Sequence, residues 1–165
     1  LMLSGETASG KYPIEAVETM ASIAEQAEME KIHVHDYAVQ QSRGGDVREF
    51  LAHSAIEATE KLGVKGIICN SGTGITVRHL ASFRGPHPVL AICYKERLQR
   101  ELALSYGVIP VYQKEQISRD QLFRAAVRML RQKGYLTDGD KIACLSGREG
   151  DSKSLEINDV SEVLN

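Results

Sequence analysis

The apolar runs of this sequence are short. PVLAIC (88–93) is among the longest, whereas a bilayer-spanning helix needs about 20 such residues in a row. No membrane partner is therefore expected. Basic residues are not in surplus either: 20 Lys and Arg stand against 22 Asp and Glu, for a net charge of −2. Without a basic stripe the chain lacks the electrostatic footprint of a nucleic-acid or anionic-membrane binder. Cysteine is scarce, and none of Cys69, Cys93 and Cys144 stands in a CxxC pair. Each ends or interrupts a short apolar run, so they read as buried strand thiols of a reducing compartment, and a cytoplasmic location is expected. An initiator methionine is also missing. The chain opens on an apolar triplet leading into a loop, LMLSGETASGKYP, which leads us to expect a piece of a longer protein.

What is present suits one domain with a real core and a small appendage: 165 residues, 42% hydrophobic and 25% charged. Val17, Met20, Ala21, Ala24 and Ala27 recur at three- and four-residue steps after Pro13, predicting a helix from Pro13 to about Glu30. The paired glycines of QSRGGD break the chain, and Asp46 with Glu49 resembles a capping box. Behind them Val47, Phe50, Leu51, Ala55, Ala58 and Leu62 suggest one helix face, closed by Gly63. Strand-like VKGIIC, PVLAIC, GVIPVY and KIACLSG then alternate with helical stretches over 73–83, 95–106 and 118–133. Short buried strands alternating with helices imply parallel βαβ units covered on both faces. The stretch 154–163 follows the fourth strand too closely for a helical crossover, so pairing there must be antiparallel. The expected fold class is a three-layer α/β/α domain with a mostly parallel sheet and an antiparallel final strand.

The segment NSGTGITV (70–77) carries the clearest chemical signal. In open parallel sheets ligands bind at the carboxyl ends of strands, where loops meet helix N-termini. Glycines allow successive N–H groups to converge as an anion nest, and a helix start adds partial positive charge. Ser71, Gly72, Thr73, Gly74 and Thr76 are thus candidate ligands of a phosphate monoester. The sequence has neither the lysine of a P-loop nor the third glycine of a dinucleotide fingerprint; Ile75, Thr76 and Val77 stand there. The same residues also suit a simple Ser/Thr cap on a Gly-rich turn. Arg78 could pair with a phosphate or lie on a solvated face.

Other constellations are poorer. His33 and His35 could share a strand face around a metal, yet no third ligand has suitable spacing. Ser71, His79 and Asp120 form no G-x-S-x-G elbow, and nothing in the sequence joins them. One anion site and no catalytic set point to binding rather than chemistry.

Met2 to Val17, MLSGETASGKYPIEAV, closely resembles the pyruvate kinase segment M-L-S-G-E-T-A-x-G-x-Y-P-x-E-A-V. Ser71, Thr73, Gly74 and Thr76 resemble the family's T-x-S-G-x-[ST]-A, with Val77 where alanine is usual. Phe83-Arg84, Gly107-Val108 with Pro110, and Gly139-Asp140 resemble its [YF]-R, G-V-x-P and G-D. The resemblance implies three parts: residues 1–30 as the last strand, loop and helix of a (β/α)8 catalytic barrel, 31–45 as a linker, and 46–165 as the C-terminal regulatory domain. It implies a parent enzyme that transfers phosphoryl from phosphoenolpyruvate to ADP, giving pyruvate and ATP in glycolysis, with Mg2+ and K+ held upstream.

No catalytic or metal-binding residue carries over, and the chain alone is expected to be inactive. Ser4 and Glu6 would sit at the barrel's C-terminal face without a catalytic role. The resemblance further implies an allosteric effector at Ser71 to Thr76, and a homo-oligomer, tetrameric in the parent and dimeric for this chain. Glu149 and Asp151 in REGDSKSLEIND would repel a second phosphate, which favours a sugar monophosphate or nucleotide over a bisphosphate. A free-standing phosphosugar or nucleotide module, and a purely structural contact domain, are the competing expectations.

Overall fold

The computed structural model describes residues 2–32, 46–114, 118–146 and 153–164. Chain contacts divide it into two compact units, Leu1–Gln40 and Gln41–Asn165. His33, His35, Glu149, Asp151 and most of the expected linker lie outside the described residues.

The first unit holds α1 (Gly5–Ser9) and α2 (Pro13–Ile32). Glu6 closes the turn between them by accepting the Tyr12 N–H at Oε1, 2.7 Å away. The periodicity found α2, but not its burial. Ala16, Met20 and Ala24 are half-buried, whereas Tyr12, Ile14, Val17, Ile23 and Met29 are exposed. A single five-residue helix offers too little surface to cover them.

The second unit begins with α3 (Val47–Lys61), whose N-cap Asp46 accepts from the Arg48 N–H at 2.9 Å. Its partner is thus the second helical residue, not the third, as a capping box would require. Gly63, at φ 69°, takes the left-handed conformation expected just past the helix end. The buried face differs from the expected one. Ala52, Ala55, Ile56, Ala58 and Thr59 are buried, while Val47, Phe50 and Leu62 are exposed. Small side chains at three- and four-residue steps let the helix approach the sheet closely, which turns the Phe50 ring outward.

The sheet contains β1 (Val64–Ser71), β2 (Val89–Cys93), β3 (Val108–Tyr112), β4 (Lys141–Ser146) and β5 (Leu155–Asp159), in the order β3-β2-β1-β4-β5. The first four are mutually parallel, and β5 returns antiparallel to β4. Helices α4 (Ile75–Ser82), α5 (Glu96–Leu102) and α6 (Arg119–Gln132) are the crossovers, and α7 (Val160–Leu164) ends the unit. Right-handed crossovers place α4 and α5 on one face. The chain then reverses direction from β3 to β4, so α6 falls on the other.

That second face holds a core cluster. Ile68, Leu90, Ile92, Ile142 and Cys144 meet Leu122, Phe123, Ala126, Val127 and Leu130 of α6, and Val160 of α7. The alternate residues Ile67, Cys69, Ala91, Ala143 and Leu145 point to the opposite face. All three cysteines are buried and free. Burial alone pushes Cys93 up to about 11, and it is the leading cause that pushes Cys69 and Cys144 up to about 12, so the protonated thiol prevails at neutral pH.

Candidate functional site

From β1 the chain winds to β2 and β3 on one side, then returns to β4 on the other. The carboxyl ends of β1 and β4 therefore flank the topological switch point, where open α/β sheets bind ligands. Asn70 pairs with Ser146 there, and both are buried although polar. Strand β1 runs two residues past its apolar stretch, because Asn70 and Ser71 continue in register with Ile92 and Cys93.

This extension brings Ser71 into the sheet and delays the helix to Ile75. Gly74 is its N-cap, at φ 81°, and supplies no side-chain cap. The Ser71 Oγ accepts the Gly74 N–H at 2.8 Å, and the Gly74 carbonyl accepts the Arg78 N–H at 2.9 Å. One amide of the turn is thereby turned inward. Ile75, Thr76 and Val77 form the first helical turn, whose N–H groups have no carbonyl one turn behind them. A Cβ at Gly72 would meet nothing within 4 Å, so the space above this residue is open. Thr73 is exposed. Thr76 is buried, and its Oγ1 has no hydrogen-bond partner.

The five residues singled out in the sequence thus lie on one strand end, one turn and one helix start. Arg78 lies across the same turn. Its Nη1 donates to the Thr73 carbonyl at 3.1 Å, and its Nη2 donates to Glu101 Oε2 at 3.3 Å. Glu101 was not identifiable in the sequence, because 23 residues separate it from Arg78. Its only local signal is the four-residue step from Arg97. His79 shares α4 with Arg78, whereas Asp120 belongs to α6 on the opposite face, so Ser71, His79 and Asp120 form no triad.

A separate cavity of about 160 Å³ lies between α6, β5 and α7, lined in part by Asp120, Phe123, Arg124, Glu156 and Glu162. Above it, Arg119 donates to Ser154 Oγ at 2.9 Å, pairs with Glu156 and stacks over the Phe123 ring. Among the described residues, no group of three or more His, Cys, Asp and Glu gathers as a metal would require, and no helix is long and apolar enough to cross a membrane.

Fold and turn together define a class: an open α/β domain with a helix start at its switch point that carries no side-chain cap. Residues 49–160 match the family described as pyruvate kinase, alpha/beta domain. The chain belongs to that family. It is 36% identical over 173 residues to the pyruvate kinase of Borreliella burgdorferi, covering 99% of this chain and 36% of that protein. Identity to the Lactobacillus delbrueckii subsp. bulgaricus pyruvate kinase is 32% over 149 residues, covering 88% of this chain and 25% of that protein. A crystal structure of a pyruvate kinase from Cryptosporidium parvum superposes with a TM-score of 0.82 at 26% identity, over 96% of this chain and 32% of that one. The chain thus spans about a quarter to a third of the length of these relatives.

Proposed function

We infer that the chain serves as the C-terminal, non-catalytic domain of a pyruvate kinase, and that the turn from Ser71 to Thr76 receives the phosphate of a small effector, a sugar monophosphate or a nucleotide. The parent enzyme transfers phosphoryl from phosphoenolpyruvate to ADP in the cytoplasm. Residues 1–30 contribute the last strand, loop and helix of its barrel, and 46–165 form the regulatory domain. The Mg2+ and K+ of that reaction belong to the barrel. The described residues do not fit a metal site.

One observation carries the effector reading: α4 opens at the switch point without a side-chain cap, beside an unobstructed Gly72 and the unpartnered Thr76 hydroxyl. First-turn amides, the helix dipole and a hydroxyl together suit a phosphate oxygen better than a neutral group. Effector binding that favours one arrangement of the enzyme by about 1–3 kcal/mol would change substrate affinity five- to 150-fold. Oligomerisation is supported by β5, an edge strand that leaves Ile157 exposed.

Calorimetric titration of the chain with AMP and glucose 6-phosphate tests the site. Binding that is lost in Gly72→Glu, at unchanged thermal stability, is the expected result; equal binding by wild type and variant would remove the turn from the account. No phosphoryl transfer is expected from the chain alone, and measurable turnover would overturn the non-catalytic reading. A purely structural role draws on a different observation, the inward hydrogen bond from Gly74 to Ser71. It predicts no binding of either ligand.

A further inference from the structure

Arg78 folds back over the start of its own helix. A Cβ placed on Gly74 would lie 2.7 Å from Arg78 Nη1 and 2.8 Å from Leu98 Cδ1, so only glycine leaves the guanidinium this position. The cation has two internal acceptors: the Thr73 carbonyl on the turn, and Glu101 on α5. Glu101 is shared, since it also accepts from Arg97 Nε at 2.9 Å. Thr76 supplies an independent sign of a missing partner at the same place. Its Cα–Cβ bond tilts toward the N-terminus of α4, as in any helix, and its buried hydroxyl is unpartnered.

We propose that Glu101 is a built-in competitor of a phosphate monoester for Arg78. The inference rests on the anion site at Ser71 to Thr76 and adds the residue pair that sets its affinity. A phosphate seated on the first-turn amides offers the guanidinium a second oxyanion, and charge-assisted bonds to phosphate are strong and often bidentate. Arg78 then exchanges the Glu101 carboxylate for the ligand, and Glu101 keeps Arg97 on its own helix. The exchange dissolves the tie between α4 and α5, and α5 packs against β2 and β3. Occupancy of the turn is thereby transmitted along the same face to the β3 edge of the sheet. Both partners are about half exposed, so the competition is modest, about two- to fivefold in affinity.

Inorganic phosphate titrated into the full chain at low ionic strength tests the exchange. Glu101→Gln should tighten binding about two- to fivefold. Glu96→Gln removes the same charge from the same helix but relieves only Arg100, so it should tighten binding less. Arg78→Gln should weaken binding, and in its background Glu101→Gln should change nothing. Equal effects of Glu101→Gln and Glu96→Gln, or a gain that survives Arg78→Gln, would overturn the competitor while leaving the anion site intact. Gly72→Glu separates the two ideas: phosphate binding that persists in this variant, or that is absent from every variant, removes the site itself.

Discussion

Helices α4 and α6 both follow parallel strands of one sheet, yet they begin in opposite ways. α6 closes itself. The Ser118 Oγ accepts the Gln121 N–H at 3.4 Å, and Gln121 Oε1 accepts the Ser118 N–H at 3.3 Å, a complete capping box. α4 starts from Gly74, which has no side chain to offer. A helix that satisfies its own first turn has little left for a ligand. One that leaves its amides open at the switch point has donors and positive potential to spend. This contrast, more than the glycine content of the turn, sets the start of α4 apart.

The most damaging way to break the contrast is Gly74→Ala. It forces an L-residue into the left-handed region, at about 1–2 kcal/mol, and drives a methyl against Arg78 and Leu98. Chemical denaturation should show a loss of at least that size, together with loss of phosphate binding. Stability within a few tenths of a kcal/mol of wild type would mean that the turn is looser than described. Ser118→Ala attacks the other helix start and should cost about 1 kcal/mol without altering phosphate affinity. A fall in affinity would show that the two helix starts are coupled.

Much of this architecture was legible because hydrophobic period and turn chemistry agree. VKGIIC, PVLAIC and KIACLSG are short apolar runs bounded by breakers, and they became the three central strands. The antiparallel return of β5 followed from chain length alone. Burial on single helices was read less well. Apolar spacing cannot tell that Ala52, Ala55 and Ile56 face the sheet while Phe50 faces away, because the partner surface decides it. At the site, Ser71, Gly72, Thr73, Gly74 and Thr76 were visible as a local pattern. The inward hydrogen bond of Gly74 was not, since it depends on β1 extending through two polar residues held by register with β2. The Arg78–Glu101 pair was invisible for a simpler reason: no period links α4 to α5.

Acid sharpens the comparison among helix starts most gently. The α3 cap is ionisable, whereas Ser118 and Gly74 are not. The Asp46 carboxyl is held below its ordinary value, chiefly by the hydrogen bond from the Arg48 backbone N–H; burial opposes this next, and the Arg48 side chain then adds to the lowering. A depressed folded value means that this cap's contribution is fully present above the ordinary carboxylate range. It is lost as pH falls through the folded value, where the native state must take up the proton. Because Asp46 is more than a third exposed, solvent screening limits the effect to about a few tenths of a kcal/mol. Asp46→Asn keeps an acceptor at the cap and removes the proton. The difference in stability between wild type and Asp46→Asn should therefore shrink as the buffer is taken from neutral to below pH 4, while the cost of Ser118→Ala stays constant. A difference that grows on acidification would mean that the carboxylate is destabilised in the fold, and α3 would then be held by its alanine face alone.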